Sequence, residues 1–241
     1  MADLPTDVEY YHTMEVPGFG LARGQWDLRG IVDKYLGNVS FAGKRVLEIG
    51  PASGFLTIEM EKRGASVVAV EVPDDPGWDY VPFPESVLAP TRKHRRATMA
   101  RIKKAWWHTR KAYNSSARIV YANVYDLPDD LGSFDIALMG AVLLHTRAPL
   151  AIVEQCARRA STIVISDLYC QPLEGQPVCR LLPTTENKAY DAWWQFSTDL
   201  FRQFLTIMGF GSQHLSVYED PRGIPLFTLT AVRPSATIQR K

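Results

Sequence analysis

The sequence lacks several features that would assign it to a class at once. No stretch has about 18 consecutive apolar residues, so no membrane-spanning helix is expected. Its first residues show no basic region followed by an apolar run, as a secretion signal would. The three cysteines, Cys156, Cys170 and Cys179, form no C-x-x-C pair and no obvious cluster with histidines. We therefore expect a cytoplasmic protein with no membrane association, no metal and no disulfide framework.

Net charge is also nearly absent, since the formal charge is +1. A balanced charge exerts no overall attraction on nucleic acid, so any such binding would need a local cluster. The 241 residues, of which 46% are hydrophobic, suit one α/β domain with insertions. We predict a single domain over residues 1–241.

One stretch, residues 45–60, predicts a strand, a glycine turn and a helix. Val46, Leu47 and Ile49 have the apolar density of a strand buried on both faces. Gly50 and Gly54 follow where the chain must turn sharply and where a ligand could approach the backbone. The helix should begin at residue 55, with Ser53 as its cap and Gly64 just after its end.

A dinucleotide-binding fingerprint is incomplete in this stretch. The third glycine of that motif would stand at position 55, where the sequence has Phe55, and Ala52 replaces the middle glycine. A nicotinamide or flavin dinucleotide is therefore disfavoured. The pattern that remains is Glu48-x-Gly50-x-x-x-Gly54, followed by a second predicted strand that ends on Glu71.

Alternating strand and helix patterns continue along the chain. Strands are predicted at residues 66–70, 118–122, 134–139, 161–166, 212–218 and 226–232, and helices at residues 27–36, 91–113, 149–160 and 197–208. Three segments fall outside this alternation and are predicted as an N-terminal lid (1–30), a helical insertion (72–117) and an insertion near the pocket mouth (168–196). Because residues 72–90 are rich in proline and glycine, including Pro76, we expect them to be irregular.

The acidic-glycine pattern with Glu71 after the next strand resembles the class I S-adenosylmethionine-dependent methyltransferases. The resemblance implies an α/β fold with a Rossmann-like, mostly parallel seven-stranded sheet, helices on both faces and a terminal antiparallel strand pair. It also implies S-adenosylmethionine as the cofactor, with Glu71 accepting hydrogen bonds from the ribose. The residues assigned to cofactor binding are Glu48, Gly50, Pro51, Ala52, Ser53, Gly54, Glu71, Val72, Asn123, Val124, Gly140 and Trp26.

A narrower resemblance links residues 43–210 to the branch that includes the tRNA wobble-uridine carboxymethyltransferases. It rests on residues 134–140, Leu144-His145, 147–149 and the Trp193-Trp-Gln-Phe-Ser197 run. Those enzymes carry a tyrosine where this sequence has Leu144, and that tyrosine helps to hold the extra carboxylate of their cofactor. Transfer of an ordinary methyl group is therefore expected.

Catalysis of methyl transfer depends mainly on holding the nucleophile in line with the methyl group. A base would help if the acceptor is a hydroxyl, and histidine has a suitable pKa. His145, just after the predicted fourth strand, is the first candidate, followed by His12 in the lid and Asp167 after the fifth strand. An equally open interpretation is that His145 only hydrogen-bonds the backbone of its loop.

Nine lysine and arginine residues lie in the predicted helix 91–113, with no acidic residue among them. A solvated helix face is the more common explanation of such a run, and a site for nucleic acid is the alternative. Three functions stay open. They are methylation of an oxygen or nitrogen of a small molecule, which we favour, methylation of RNA through the basic helix, and nucleoside binding without catalysis.

Overall fold

The computed structural model describes residues 2–74 and 77–234. The other residues of the predicted domain, including Pro76 of the segment expected to be irregular, lie outside the described residues. In chain order the elements are β1 (Met14–Val16), β2 (Gly20–Ala22), α1 (Val32–Tyr35), β3 (Arg45–Ile49), α2 (Phe55–Lys62), β4 (Ser66–Glu71), α3 (Glu85–Ala112), β5 (Arg118–Tyr121), β6 (Phe134–Gly140), α4 (Pro149–Arg159), β7 (Ala160–Leu168), β8 (Cys179–Leu181), β9 (Trp194–Phe196), α5 (Thr198–Ile207), β10 (Ser212–Glu219) and β11 (Pro225–Val232).

Seven strands form one sheet in the order β10-β11-β7-β6-β3-β4-β5. Strands β3 to β7 pair in parallel, whereas β11 runs antiparallel to β7 and to β10. The predicted Rossmann-like sheet with its terminal antiparallel pair is therefore confirmed. The chain runs outward from β3 to β5 and then returns to β6 beside β3. Ligands of open α/β sheets bind at such a reversal, outside the carboxyl ends of the strands.

Helices cover both faces of this sheet, as predicted. Side chains of β3 alternate between the faces, because successive residues of a strand point in opposite directions. Val46 packs with α1, α2 and α3, and Leu47 and Ile49 pack with α4 and α5. All three are almost fully buried, which confirms the predicted two-sided burial. No helix of the described part is both long and apolar enough to cross a membrane.

The helix predicted at residues 27–36 is wrong over its first half, because α1 spans only Val32–Tyr35. The carboxylate of Asp27 accepts a hydrogen bond from the backbone amide of Arg29, over 3.2 Å. Such a local bond from an aspartate side chain stabilises a turn in competition with a helix.

Helix α3 begins at Glu85, earlier than predicted, and contains Pro90 in its sixth position. Proline lacks the amide that would bond the preceding turn, so its presence argued for irregular structure. The buried side chain of Leu88 lies in this first part of the helix. Packing of this turn therefore outweighs the loss of one helical hydrogen bond.

The N-terminal segment contributes more to the core than a lid would. It forms the antiparallel β1-β2 hairpin, and Met14, Val16, Ala22 and Leu28 are buried in the same cluster as α2 and α3. Its strands have only three residues each, too few to show an alternating pattern in the sequence. This packing favours an N-terminal arm that stabilises the fold, and the role of the segment as a lid stays a prediction.

Candidate active site

The loop after β3 turns through three residues in the left-handed conformation, with φ of 72° at Gly50, 48° at Ala52 and 91° at Gly54. A Cβ atom at Gly50 would lie 2.9 Å from Cγ2 of Val142. Val142 follows β6, so the loops after β3 and β6 touch where the strand order reverses. Glycine is required at position 50 both for its backbone conformation and for this close contact.

Ser53 does not cap α2, contrary to the prediction. The residue at the helix start is Gly54, and α2 has no side-chain cap. The buried hydroxyl of Ser53 instead accepts hydrogen bonds from the backbone amides of Tyr11 (3.0 Å) and His12 (3.4 Å). These bonds tie the N-terminal segment directly to the glycine loop.

Glu71, the last residue of β4, is buried beside the same loop. Its carboxylate accepts a hydrogen bond from the amide of Val72 over 2.7 Å. Burial raises the pKa of Glu71 to about 7, and the amides of Val72 and Ala52 and the charge of Lys103 oppose this rise. Its contact with the ribose of a cofactor stays a prediction.

Glu48 has a different environment from Glu71. Its Oε2 accepts a hydrogen bond from the hydroxyl of Thr57 over 2.5 Å, and burial raises the pKa of Glu48 to about 8. Thr57 in turn accepts a hydrogen bond from the indole nitrogen of Trp106. Glu48 thus links β3 to α2 and α3, and its contact with a cofactor stays a prediction. Pro51, also assigned to the cofactor, is buried in the loop.

Two more of the predicted cofactor residues, Asn123 and Val124, follow β5. The side-chain oxygen of Asn123 accepts a hydrogen bond from the amide of Tyr125 over 3.0 Å, so it stabilises the turn of its own loop. Asn123 is exposed and Val124 is half-buried. Their contact with an adenine ring stays a prediction.

Gly140 and Trp26 have evident packing roles. A Cβ atom at Gly140, the end of β6, would lie 3.1 Å from the ring of Tyr35. Trp26 is half-buried, its amide donates to the carbonyl of Tyr11, and the guanidinium of Arg222 lies 4.3 Å from its ring centre. Both residues sit near the predicted edge, and their role in cofactor binding stays a prediction.

His145 ends a short helical turn after β6. Its Nδ1 lies 2.5 Å from the backbone oxygen of Asp191, which can only accept a hydrogen bond, so Nδ1 carries the proton. The lone pair of Nε2 is then available. Burial lowers the pKa of His145 to about 4, with a further contribution from Arg95, so the ring is neutral at pH 7. This is the form that a general base requires.

The two predicted insertions pack together above the turn that carries His145. The amide of Val81 donates to the carbonyl of Tyr190 over 2.9 Å. Trp193 donates its amide to the carbonyl of Leu144 over 2.7 Å and its indole nitrogen to the carbonyl of Asp79 over 2.8 Å. Residues of both insertions therefore form a roof over this end of β6.

Arg95 of α3 belongs to this roof and was missed as a site residue. It forms an ion pair with Asp191, and its guanidinium lies 4.5 Å from the ring centre of Trp78. The ring of Trp78 in turn lies 5.1 Å from that of His145. In the sequence Arg95 is one of nine cations in a run, and no local pattern distinguishes it from the others.

The other two candidate catalytic residues, Asp167 and His12, are buried and incompletely hydrogen-bonded. Asp167 Oδ1 accepts from the amide of Leu168, whereas Asp167 Oδ2 and His12 Nδ1 have no partner within the described ranges. Burial raises the pKa of Asp167 to about 7 and lowers that of His12 to about 4. The hydrogen bonds of the described residues do not join either group to His145.

The ring of Tyr11 lies 4.9 Å from that of His12. Burial raises the pKa of its phenol, and a hydrogen bond with Trp26 opposes this rise. Tyr10 is different, because its hydroxyl bonds Nδ1 of His108 on α3 over 2.7 Å and serves packing.

The cations of α3 are largely compensated by carboxylates from other parts of the chain. Five of the nine form ion pairs, which are Arg92–Glu85, Arg95–Asp191, Arg101–Glu9, Lys103–Asp74 and Lys104–Asp7. Only Glu85 belongs to the helix itself. The basic run of the sequence is therefore not an equally basic surface in the folded chain.

Comparison with solved structures shows the same fold in several methyltransferase structures. The N-terminal domain of EvdMO1 with SAH bound is 18% identical, with a TM-score of 0.59 over 93% of this chain and 92% of that one. Magnesium protoporphyrin IX methyltransferase (ChlM) from Synechocystis PCC 6803 with bound SAM is 16% identical, with a TM-score of 0.55 over 86% and 78%.

A third structure is 1,6-didemethyltoxoflavin-N1-methyltransferase from Burkholderia thailandensis, with bound 1,6-didemethyltoxoflavin and S-adenosylhomocysteine. It is 19% identical, with a TM-score of 0.53 over 86% of this chain and 76% of that one. No protein with a curated description matches the chain. The family described as methyltransferase domain matches residues 24–218, which include the glycine loop, Glu71 and the turn of His145. The chain belongs to this methyltransferase-domain family.

Proposed function

We propose that the chain transfers the methyl group of S-adenosylmethionine to an oxygen or nitrogen atom of a small molecule. The family match over residues 24–218 supports the reaction class. Similar structures that hold SAM or S-adenosylhomocysteine support the cofactor. Two of these structures are named as methyltransferases of small molecules, a porphyrin and a toxoflavin precursor.

The residues at the carboxyl edge of the sheet fit an adenosyl cofactor. The left-handed turn at Gly50 leaves no side chain between the loop backbone and a ligand. Glu71 offers a buried carboxyl group beside the amide of Ala52, and ribose hydroxyls could donate hydrogen bonds to it. The cofactor would supply an electrophilic methyl group on its sulfonium.

The chain's own residues would position the acceptor and exclude water. The N-terminal segment is held on the glycine loop by Ser53, so it covers one side of the edge. His145 Nε2 could take a proton from an acceptor hydroxyl, because Nδ1 is already bonded to the carbonyl of Asp191. The nearby charge of Arg95 disfavours the imidazolium that would form, so His145 would act best on an acidic acceptor group.

The roof formed by the two insertions is the observation that carries the choice of a small molecule. Backbone bonds from Val81 to Tyr190 and from Trp193 to Leu144 hold the two insertions together over the turn of His145. A folded RNA would need an open, basic approach to this edge. The ion pairs of α3 instead compensate five of its nine cations.

We further propose that the transferred group is an ordinary methyl group. Leu144, which replaces the tyrosine of the carboxymethyltransferase branch, is buried and has an apolar side chain. It has no donor with which to bind an additional carboxylate on the cofactor. We propose that the likeness to the carboxymethyltransferase branch reflects common ancestry and not the same transferred group.

A transfer assay with methyl-labelled S-adenosylmethionine tests this function. The purified chain is incubated separately with the small-molecule and the RNA fractions of a cell extract, and Gly50→Val serves as the inactive control. We expect label in a small molecule. Label in RNA alone would support the RNA alternative, and tight cofactor binding without transfer to either fraction would support a non-catalytic role.

A further inference from the structure

Two buried hydrogen-bond donors near the roof have no acceptor within residues 2–74 and 77–234. They are Nε of Arg95 and Nε1 of Trp78. Leaving a buried donor unpaired is unfavourable, so native structures seldom keep two such groups in contact. Here the guanidinium of Arg95 lies 4.5 Å from the ring centre of Trp78. The pair therefore indicates a place for a further acceptor group.

Arg95 and Trp78 line the same cavity, which has a volume of about 130 Å³. It extends from Val72, next to Glu71, across the irregular segment after β4 to the side of α3. The ring of Trp78, which lines the cavity, lies 5.1 Å from that of His145. The cavity thus lies between the proposed cofactor edge and the candidate base, where part of an acceptor molecule would be bound.

Cationic side chains outnumber acidic ones in the lining of this cavity. Four cations line it, which are Arg92, Arg95, Arg96 and Lys103, together with one carboxylate, Asp74. Three of them form ion pairs with carboxylates, and Arg96 has no carboxylate partner within the described part of the chain. The charge in excess is therefore that of Arg96, and a concave site with an excess of one sign of charge concentrates ligands of the opposite sign.

The rest of the lining limits the shape of the ligand group. Tyr80 and Met99 add apolar surface beside Trp78. Pockets that hold a whole drug-sized ligand have volumes of about 300 to 1,000 Å³. A cavity of about 130 Å³ is therefore suited to one substituent of an acceptor and not to the whole molecule.

We propose that this cavity binds an oxyanionic substituent of the methyl acceptor, a carboxylate or a phosphate on a planar group, with Arg95 Nε and Trp78 Nε1 as its donors. The assignment to an acceptor rests on the proposed function. The oxyanion chemistry itself rests on the two donors, their contact and the excess of positive charge.

Two conservative variants isolate the donors. Arg95→Lys keeps a cation for the ion pair with Asp191 but removes the Nε–H group and the planar guanidinium. Trp78→Phe keeps an aromatic ring but removes the N–H donor. Arg101→Met is the matched control, because Arg101 lies on the same helix, pairs with Glu9 and does not line the cavity.

The test is calorimetric titration of the full chain with benzoate, phenyl phosphate and neutral benzamide, with and without saturating S-adenosylhomocysteine. We expect benzoate or phenyl phosphate to bind about tenfold more tightly than benzamide, since charge-assisted hydrogen bonds are the stronger ones. The tighter of the two anions identifies carboxylate or phosphate as the preferred group. Arg95→Lys and Trp78→Phe should each weaken the binding of that anion by about tenfold. The control Arg101→Met should bind it within about twofold of the wild-type affinity.

Two results would overturn the proposal. One is equal binding of the anions and benzamide by the wild type, and the other is unchanged anion binding in both variants. If Arg95→Lys or Trp78→Phe instead loses affinity for S-adenosylhomocysteine, the donors serve the cofactor and the acceptor assignment is wrong. If the wild type does not bind S-adenosylhomocysteine, the proposed function is refuted. The cavity is still tested in that case, because the anion titrations are also carried out in the absence of S-adenosylhomocysteine.

Discussion

The cofactor edge and the acceptor side of this chain are built in contrasting ways. At the proposed cofactor edge, Gly50, Gly54 and Glu71 are close in sequence and offer a left-handed backbone turn and one buried carboxyl group. At the acceptor side, the roof joins residues such as Asp79 and Trp193, which are 114 positions apart. Local sequence patterns therefore describe the first region, and only the tertiary structure describes the second.

The two regions should also differ in their tolerance of substitution. A side chain at Gly50 meets both an unfavourable φ and a close neighbour. The ion pairs of α3 are mostly exposed, and such pairs each contribute about 0 to 1 kcal/mol. We therefore expect the largest effects at the cofactor edge and the smallest along the outer face of α3.

Gly50→Val is expected to have the largest effect, abolishing measurable binding of S-adenosylhomocysteine. Its Cβ would lie 2.9 Å from Val142, and φ at this position is 72°. Calorimetric titration of the folded variant measures the loss. Gly43→Val is the control, because Gly43 has φ of 69° and no atom within 4 Å of an added Cβ. A folded Gly50→Val variant with wild-type affinity would show that the loop is not the cofactor site.

His145→Ala is expected to lower turnover by about 10² or more, because a general base acts in the transition state. Affinity for S-adenosylhomocysteine should stay nearly unchanged, which separates the acceptor side from the cofactor edge. Steady-state kinetics with the identified acceptor and a parallel titration provide the two measurements. Wild-type turnover in the variant would leave His145 with a purely structural role, as a partner of the Asp191 carbonyl.

The pH profile sharpens this prediction. Histidine as a residue type suggests an acidic limb near neutrality, but burial lowers the pKa of His145 to about 4. The ring is a free base above that pH, so with S-adenosylmethionine at saturation the part of kcat/KM that depends on His145 should decline only as the pH falls toward about 4. Burial also lowers the pKa of His12 to about 4, so both residues destabilise the fold as the pH falls from about 6.5 to 4. Initial rates after rapid pH change avoid this loss, and a limb near pH 7 that His145→Ala removes would contradict the structure.

The sequence predicted the sheet well because four of the five parallel strands are short apolar runs that contain, or stand next to, a glycine or an acid, and β5 is the exception. The assignment of Gly50 and Glu71 depended on the same local pattern. Ser53 was misassigned because a capping pattern does not exclude a competing partner, here the amides of Tyr11 and His12. Arg95 was missed because Asp191, the residue that sets it apart from its neighbours on α3, is distant in the chain.

Glu71→Ala should weaken binding of S-adenosylhomocysteine by about 1 to 3 kcal/mol, the cost of leaving buried polar groups unpaired. The pKa of Glu71 is raised to about 7, so its carboxyl is protonated below that pH and ionised above it. Hydroxyl donors prefer the ionised form, so affinity should increase from pH 6 to pH 8. Glu71→Gln should remove this increase even though Asp167 also titrates near pH 7. Unaltered affinity in Glu71→Ala would exclude the ribose role.

The smallest effect concerns RNA. We expect the chain to show no tight, salt-sensitive binding of tRNA. Five of the nine cations of α3 already have carboxylate partners. Filter binding of tRNA at two salt concentrations measures this, and high affinity that falls steeply with salt would favour the RNA alternative.

The double variant Asp7→Asn, Glu9→Gln tests whether this compensation is the cause. It frees Lys104 and Arg101, which pair with these carboxylates on the outer face of α3 and do not line the acceptor cavity. Each freed cation can neutralise about one phosphate, so tRNA affinity should rise and its dependence on salt should steepen by about two counterions. Cofactor affinity should not change, because neither pair lies at the cofactor edge. If the variant binds tRNA no better than the wild type, the arrangement of the cations around α3, and not their pairing, keeps RNA away from this face.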